Sequence, residues 1–135
     1  MNACNVVPTV NTPTSGNCLD ALAQTYQVLH ELGAGYFGVT FKVQQANTGY
    51  SLAIKATAFT ADAAEEIKIH CSLNGLRNYT SLFGYTHGWV LCNDLPATWK
   101  QRIKVPPKLQ GNVPKIFIVM DLNSLTVDEV NPSSL

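Results

Sequence analysis

Five residues have types and spacing that could do chemistry together. Gly33, Gly35 and Gly38 stand at positions one, three and six of a G-x-G-x-x-G run. A backbone without Cβ atoms can approach phosphate oxygens directly, so the run is a candidate phosphate cradle. Lys55 follows in the apolar stretch Ala53-Ile54-Lys55. An ammonium in such a strand must meet an anion or suffer desolvation. Phosphate oxygens would supply that anion. Glu66, eleven positions further on, could hold the ammonium in line. Residue by residue, blander readings compete: a Gly-rich turn, a lysine snorkelling to water from a strand edge, and a solvated glutamate.

The elements around the glycines decide what kind of cradle this is. A dinucleotide-binding turn runs straight into a helix. Here Val39, Phe41 and Val43 alternate with Thr40, Lys42 and Gln44 after Gly38, which is strand periodicity. Residues 26–32 also read as a strand, so the glycines cap a strand–loop–strand hairpin. Ala46-Asn47-Thr48-Gly49 has turn chemistry and leads to a third strand over 50–58. Ala63, Ala64, Ile67, Cys71 and Leu73 recur at helical spacing over 61–74. Thr60 and Asp62 are available as caps, Asp62 with Glu65 fits a capping box, and Gly75 would close the helix. Residues 18–23 suggest a short helix, and 81–92 one or two strands. Residues 93–114, with four prolines, read as a loop, and 115–122 as a buried strand. Residues 1–17, rich in Asn, Thr, Pro and Ser, read as a flexible leader.

The chain has 135 residues, net charge zero, and 46% hydrophobic residues, enough for one domain with a real core. Charged residues are 13%, about half the usual ~25%. No basic stripe suggests direct nucleic-acid binding. No apolar run approaches the ~20 residues of a membrane span, and the start lacks the features of a secretory signal. Cys4, Cys18, Cys71 and Cys92 have no metal-like spacing. They are expected to be reduced thiols in an intracellular protein, cytoplasmic or nuclear.

In order and context, the glycine hairpin, Lys55 and Glu66 resemble the N-terminal lobe of a eukaryotic-type protein kinase. Within that superfamily the chain most resembles the haspin family of atypical histone H3 Ser/Thr kinases. The residues carrying that likeness are Glu66-Ile67 with Ile69, Leu73 and Leu76, Leu82-Phe83-Gly84, Trp99 after Leu95-Pro96, and Ile116-Phe117-Ile118-Val119-Met120-Asp121. The resemblance covers residues 26–128. It implies an α+β fold with a five-stranded antiparallel sheet and one main packed helix. It also implies a leader over 1–17, the lobe over 18–128 and a tail over 129–135.

The resemblance implies ATP as ligand. Gly33, Ala34, Gly35, Tyr36, Phe37, Gly38 and Val39 would form the phosphate lid, with Phe37 at its tip. Leu32, Thr40 and Ala53 would contact adenine, and Lys55 and Glu66 would form the catalytic ion pair. Asp128 could meet the ribose. Either Met120 or Leu122 would be the gatekeeper, with 123–125 as hinge in the second case. Three departures stand out. Thr40 replaces a valine, the Lys55–Glu66 connection is short, and His70 occupies a position usually apolar. A histidine there is expected to be a packed core residue.

After Leu122 thirteen residues remain, with no H-R-D-x-x-x-x-N loop and no D-F-G. The base and both Mg²⁺ ligands come from those motifs. The resemblance therefore implies an ATP-binding half that cannot transfer phosphoryl groups by itself, taking Mg²⁺ only if a C-terminal lobe is supplied. The alternative is a free-standing lobe that docks on another kinase as regulator or mimic. Either way a kinase C-lobe or another kinase is the expected protein partner. The sheet face carrying Leu32, Thr40, Ala53, Met120 and Leu122 is expected to lie bare without one, favouring self-association.

Overall fold

The computed structural model describes residues 2–6, 8–9, 12–14, 17–35, 38–72 and 85–122. Its strands are β1 (Asn2–Ala3), β2 (Tyr26–Ala34), β3 (Gly38–Gln45), β4 (Ser51–Ala58), β5 (Thr86–Cys92) and β6 (Lys115–Asp121). Its helices are α1 (Cys18–Thr25), α2 (Ala61–Ser72) and α3 (Ala97–Lys100), with a 3-10 turn at Pro107–Leu109. The strands form one antiparallel sheet in the order β1-β5-β6-β4-β3-β2. The fold class is α+β, with six strands where five were expected.

The sixth strand comes from the leader. Asn2 and Ala3 pair with Trp89 and Gly88 on the open edge of β5. The Trp89 Nε1–H donates to the Val6 carbonyl at 2.7 Å and reinforces that pairing. Sequence patterning cannot reveal a two-residue strand, because two residues carry no period.

Alternation along β3 explains how the sheet divides its two faces. Val39, Phe41 and Val43 are buried on one side, while Thr40 and Lys42 point to the other. The first face packs beneath α1 and α3 with Leu22, Ile54, Trp99, Leu109 and Phe117. The second packs beneath α2, where Ala53, Ile67, Trp89, Ile116, Ile118 and Met120 form a separate cluster. Covered on both faces, β6 is buried from Lys115 to Met120, as a near-continuous apolar run requires.

The face expected to lie bare is closed at two points. Ala53 and Met120 are buried, and Leu32, Thr40 and Leu122 are half-buried. Met120 and Leu122 both pack in the α2-side cluster.

The stretch 93–114 is not simply a loop. Pro96 starts α3, and Trp99 inserts from it into the core. Its ring meets Phe41 and Phe117 edge-on, with centroids 5.3 and 5.8 Å away. Its Nε1–H donates to the Tyr26 carbonyl at 3.2 Å. Lys115 anchors the other end of this stretch. Fully buried, its ammonium donates to the carbonyls of Asn93, Gly111 and Val113 at 2.8–2.9 Å.

The expectation of reduced thiols is corrected. Cys4 bonds to Cys71 and Cys18 to Cys92. The partners are 67 and 74 residues apart, and only the fold brings β1 to the end of α2 and the start of α1 to the end of β5. No described helix is long and apolar enough to cross a membrane.

Candidate phosphate-binding site

The β2–β3 hairpin holds the glycines. Gly33 lies opposite Thr40 and Ala34 opposite Val39, and the Gly35 N–H donates to the Gly38 carbonyl at 2.9 Å. Register shifts between Val28 and His30 and between Glu31 and Gly33 bend β2 as it enters the turn. Gly38 opens a strand and not a helix, so the hairpin is not a dinucleotide-binding turn.

The three glycines have different physical reasons. A Cβ on Gly38 would sit 2.4 Å from the Ala56 carbonyl oxygen, so the close approach of β3 to β4 demands glycine there. Among the described residues, a Cβ on Gly33 or Gly35 would meet nothing within 4 Å, and neither residue has a positive φ. The fold by itself therefore does not require glycine at those two positions. What an added methyl would occupy is open space over the hairpin.

Beside the hairpin is a cavity of about 340 Å³ lined by Gly33, Ala34, Gly35, Gly38, Val39, Thr40, Lys55, Thr57 and Glu66. Lys55 reaches it because β4 runs beside β3, which sets Lys55 opposite Thr40 on one side and Ile118 on the other. Strand alternation then turns Lys55 to the α2 side with Ala53 and Thr57.

Glu66 arrives from α2. The Thr60 hydroxyl caps this helix by accepting the Ala63 N–H at 3.2 Å. Asp62 lies inside the first turn, so the Asp62–Glu65 capping box is not formed. Ala63, Ala64 and Ile67 bury one face against the sheet. This aims Glu66 at Lys55, and the Lys55 ammonium donates to Glu66 Oε1. The same oxygen lies 3.4 Å from His70 Nε2, one turn along α2.

About a third of each side chain in the Lys55–Glu66 pair is exposed, at 35% and 32%. An ion pair that open is worth only about 0–1 kcal/mol to stability. The pair leaves a positioned cation at the cavity rim and contributes little to holding the fold.

His70, expected to be a packed residue, has only 15% of its side chain exposed; it does not line the cavity but touches the site through Glu66. Its i,i+4 spacing from Glu66 was the available signal. Thr57 had no signal, because its place in the cavity depends on strand register. Tyr36, Phe37, 123–125 and Asp128 lie outside the described residues, as do Leu73, Gly75, Leu76 and Gly84. Among the described residues no group of three or more His, Cys, Asp or Glu could hold a metal ion. Comparison with protein-family models gives no match, and comparison with curated protein sequences gives none either.

Proposed function

We propose that this chain is the ATP-binding N-terminal lobe of a haspin-like Ser/Thr protein kinase, not competent for phosphoryl transfer by itself. One observation carries the reading. No described residue gives Gly33 or Gly35 a steric reason to be glycine, yet both line one cavity with Lys55, which Glu66 holds. An ammonium beside a glycine hairpin that leaves open space suits the oxygens of a nucleotide triphosphate. Thr40, which lines the cavity, and half-buried Leu32 would offer the adenine surface; Ala53 and the gatekeeper candidates Met120 and Leu122 lie in or against the α2-side cluster and would have to be uncovered to join it.

Glu66 is already engaged by Lys55 and His70, and the described residues form no acidic cluster. They do not make a Mg²⁺ site. In this reading Mg²⁺ ligands and the catalytic base come from a kinase C-lobe or from another kinase acting as partner. A cytoplasmic or nuclear setting rests on the kinase likeness alone, because the two disulfides remove the reduced-thiol argument for it and favour an oxidising compartment.

The test is calorimetric titration with ATP. Binding rests on Lys55 and the glycine hairpin without metal or second lobe, so a Kd in the millimolar range is expected, about −4 kcal/mol. Lys55→Met should abolish this binding and leave the circular dichroism spectrum unchanged. Equal ATP binding by wild type and Lys55→Met would refute the assignment.

A further inference from the structure

The two disulfides differ in where they sit. Cys18 and Cys92 are buried in the core beneath α1, at 6% and 1% exposure. Cys4 and Cys71 are both half-buried, at the surface of the α2 side. Thiol–disulfide exchange needs an attacking thiolate to reach a sulfur, so the second pair is the one open to it.

Cys71 lies in the last turn of α2, directly after His70 and five residues after Glu66. Cys4 lies in a tight turn, closed by the Val6 N–H donating to the Ala3 carbonyl at 3.0 Å. That turn is fastened to β5 at both ends. Ala3 pairs with Gly88, and the Val6 carbonyl accepts the Trp89 indole N–H. The Cys4–Cys71 bond therefore ties the end of α2 that carries Glu66 and His70 to a fixed point on the sheet. Cys4 Sγ also lies 3.2 Å from the Thr86 carbonyl. As a free thiol it has an acceptor in place, so the leader side accommodates both oxidation states.

We propose that Cys4–Cys71 is a reversible redox latch on the last turn of α2, with Cys18–Cys92 as the permanent structural bond. The reductant class is a low-molecular-weight thiol such as glutathione, or a protein dithiol. One thiolate attacks a sulfur of the pair, forming a mixed disulfide and releasing one cysteine thiolate. A second thiol then attacks the mixed disulfide and frees the other cysteine. Two electrons pass from the reductant, which leaves as its own disulfide, and two protons end on Cys4 and Cys71. Opening the latch leaves the Glu66–His70 turn held by its packing and by the partly exposed Lys55–Glu66 pair, and so loosens Glu66 beside Lys55. The consequence for ATP rests on the nucleotide reading above; the latch itself does not.

The full chain is equilibrated in glutathione buffers of graded reducing strength, and free thiols are mapped by alkylation and mass spectrometry. Cys4 and Cys71 are expected to open together under conditions that leave Cys18–Cys92 intact. Amide exchange over 66–72 should then accelerate about tenfold, with β3, β4 and β6 unchanged. Cys4→Ser, which leaves the helix sequence untouched, should reproduce this without reductant. Simultaneous opening of both pairs, earlier opening of Cys18–Cys92, or unchanged α2 exchange after Cys4–Cys71 opens would each overturn the latch. ATP titration of the two forms separates the readings. Weaker binding by the open form supports both, whereas a redox-dependent α2 with no ATP binding in either form keeps the latch and removes the nucleotide. Equal ATP affinity in both forms would overturn the latch's control of the site.

Discussion

Replacing the three hairpin glycines one at a time by alanine should separate structure from ligand binding by the sign of the stability change. In Gly38→Ala the new methyl lies 2.4 Å from the Ala56 carbonyl oxygen and 3.2 Å from Thr57 Cβ. The first contact is with backbone, so no rotamer change relieves it. The β3–β4 ladder must spread, and overpacking of this kind costs about 1–3 kcal/mol. In Gly33→Ala and Gly35→Ala the methyl meets nothing within 4 Å, and φ is compatible with an L residue. Restricting the unfolded chain should then stabilise each variant by about 0.4–1 kcal/mol. Urea unfolding followed by tryptophan fluorescence reads these changes, because Trp89 and Trp99 are both buried at 1% exposure. Both glycines line the cavity proposed for phosphate, so in that reading both stabilised variants should lose measurable ATP binding. If Gly33→Ala or Gly35→Ala destabilises as much as Gly38→Ala, the division of roles is wrong. If both bind ATP as wild type does, the glycine side of the cavity is not the phosphate contact.

Further perturbations concern the stretch that Trp99 and Lys115 pin down. Lys115→Met orphans three carbonyls while relieving a buried ammonium, and a net loss of about 2–4 kcal/mol is expected in urea unfolding; a loss below about 0.5 kcal/mol would show that water replaces the ammonium freely. Burial pushes Lys115 below its usual 10.5, with the Asp94 charge opposing and Lys100 adding to the shift. Between that lowered value and 10.5 the unfolded chain holds a proton that the native chain has released, so this group makes stability rise with pH. Burial raises the Tyr26 phenol above 10.0, which makes stability fall above pH 10 in wild type and Lys115→Met alike. The stability difference between the two proteins should therefore grow as pH rises towards 10.5, and a flat difference would contradict the burial assigned to Lys115. At acid pH, burial works to raise the Asp94 carboxyl, but the Lys100 and Leu95 N–H donors and the lysine charges outweigh it and leave it lowered. The stability it lends should disappear as pH falls below 3.8 through that lowered value, and Asp94→Asn should flatten that part of the curve.

The parts of this protein legible in its sequence are those set by short-range periodicity. The alternation from Val39 to Val43, the glycine spacing before it and the apolar run around Lys55 located β3, the hairpin and β4. The helical recurrence of Ala63, Ala64 and Ile67 located α2 and, with it, the side from which Glu66 approaches. These features follow from local backbone geometry, in which every second residue of a strand and every third or fourth of a helix shares a face. What the tertiary structure decided depends on contacts between residues far apart in the chain. Asn2 and Ala3 became a strand because β5 offered an unpaired edge. The cysteines became pairs because the sheet order brings Cys4 to Cys71 and Cys18 to Cys92. Gly38 differs from Gly33 and Gly35 only through the nearness of Ala56 on the next strand. Lys115, inside the most apolar run of the sequence, found its partners in the carbonyls of a stretch whose path no periodicity describes. Local spacing fixes which face a side chain takes, and only the packed chain fixes what waits on that face.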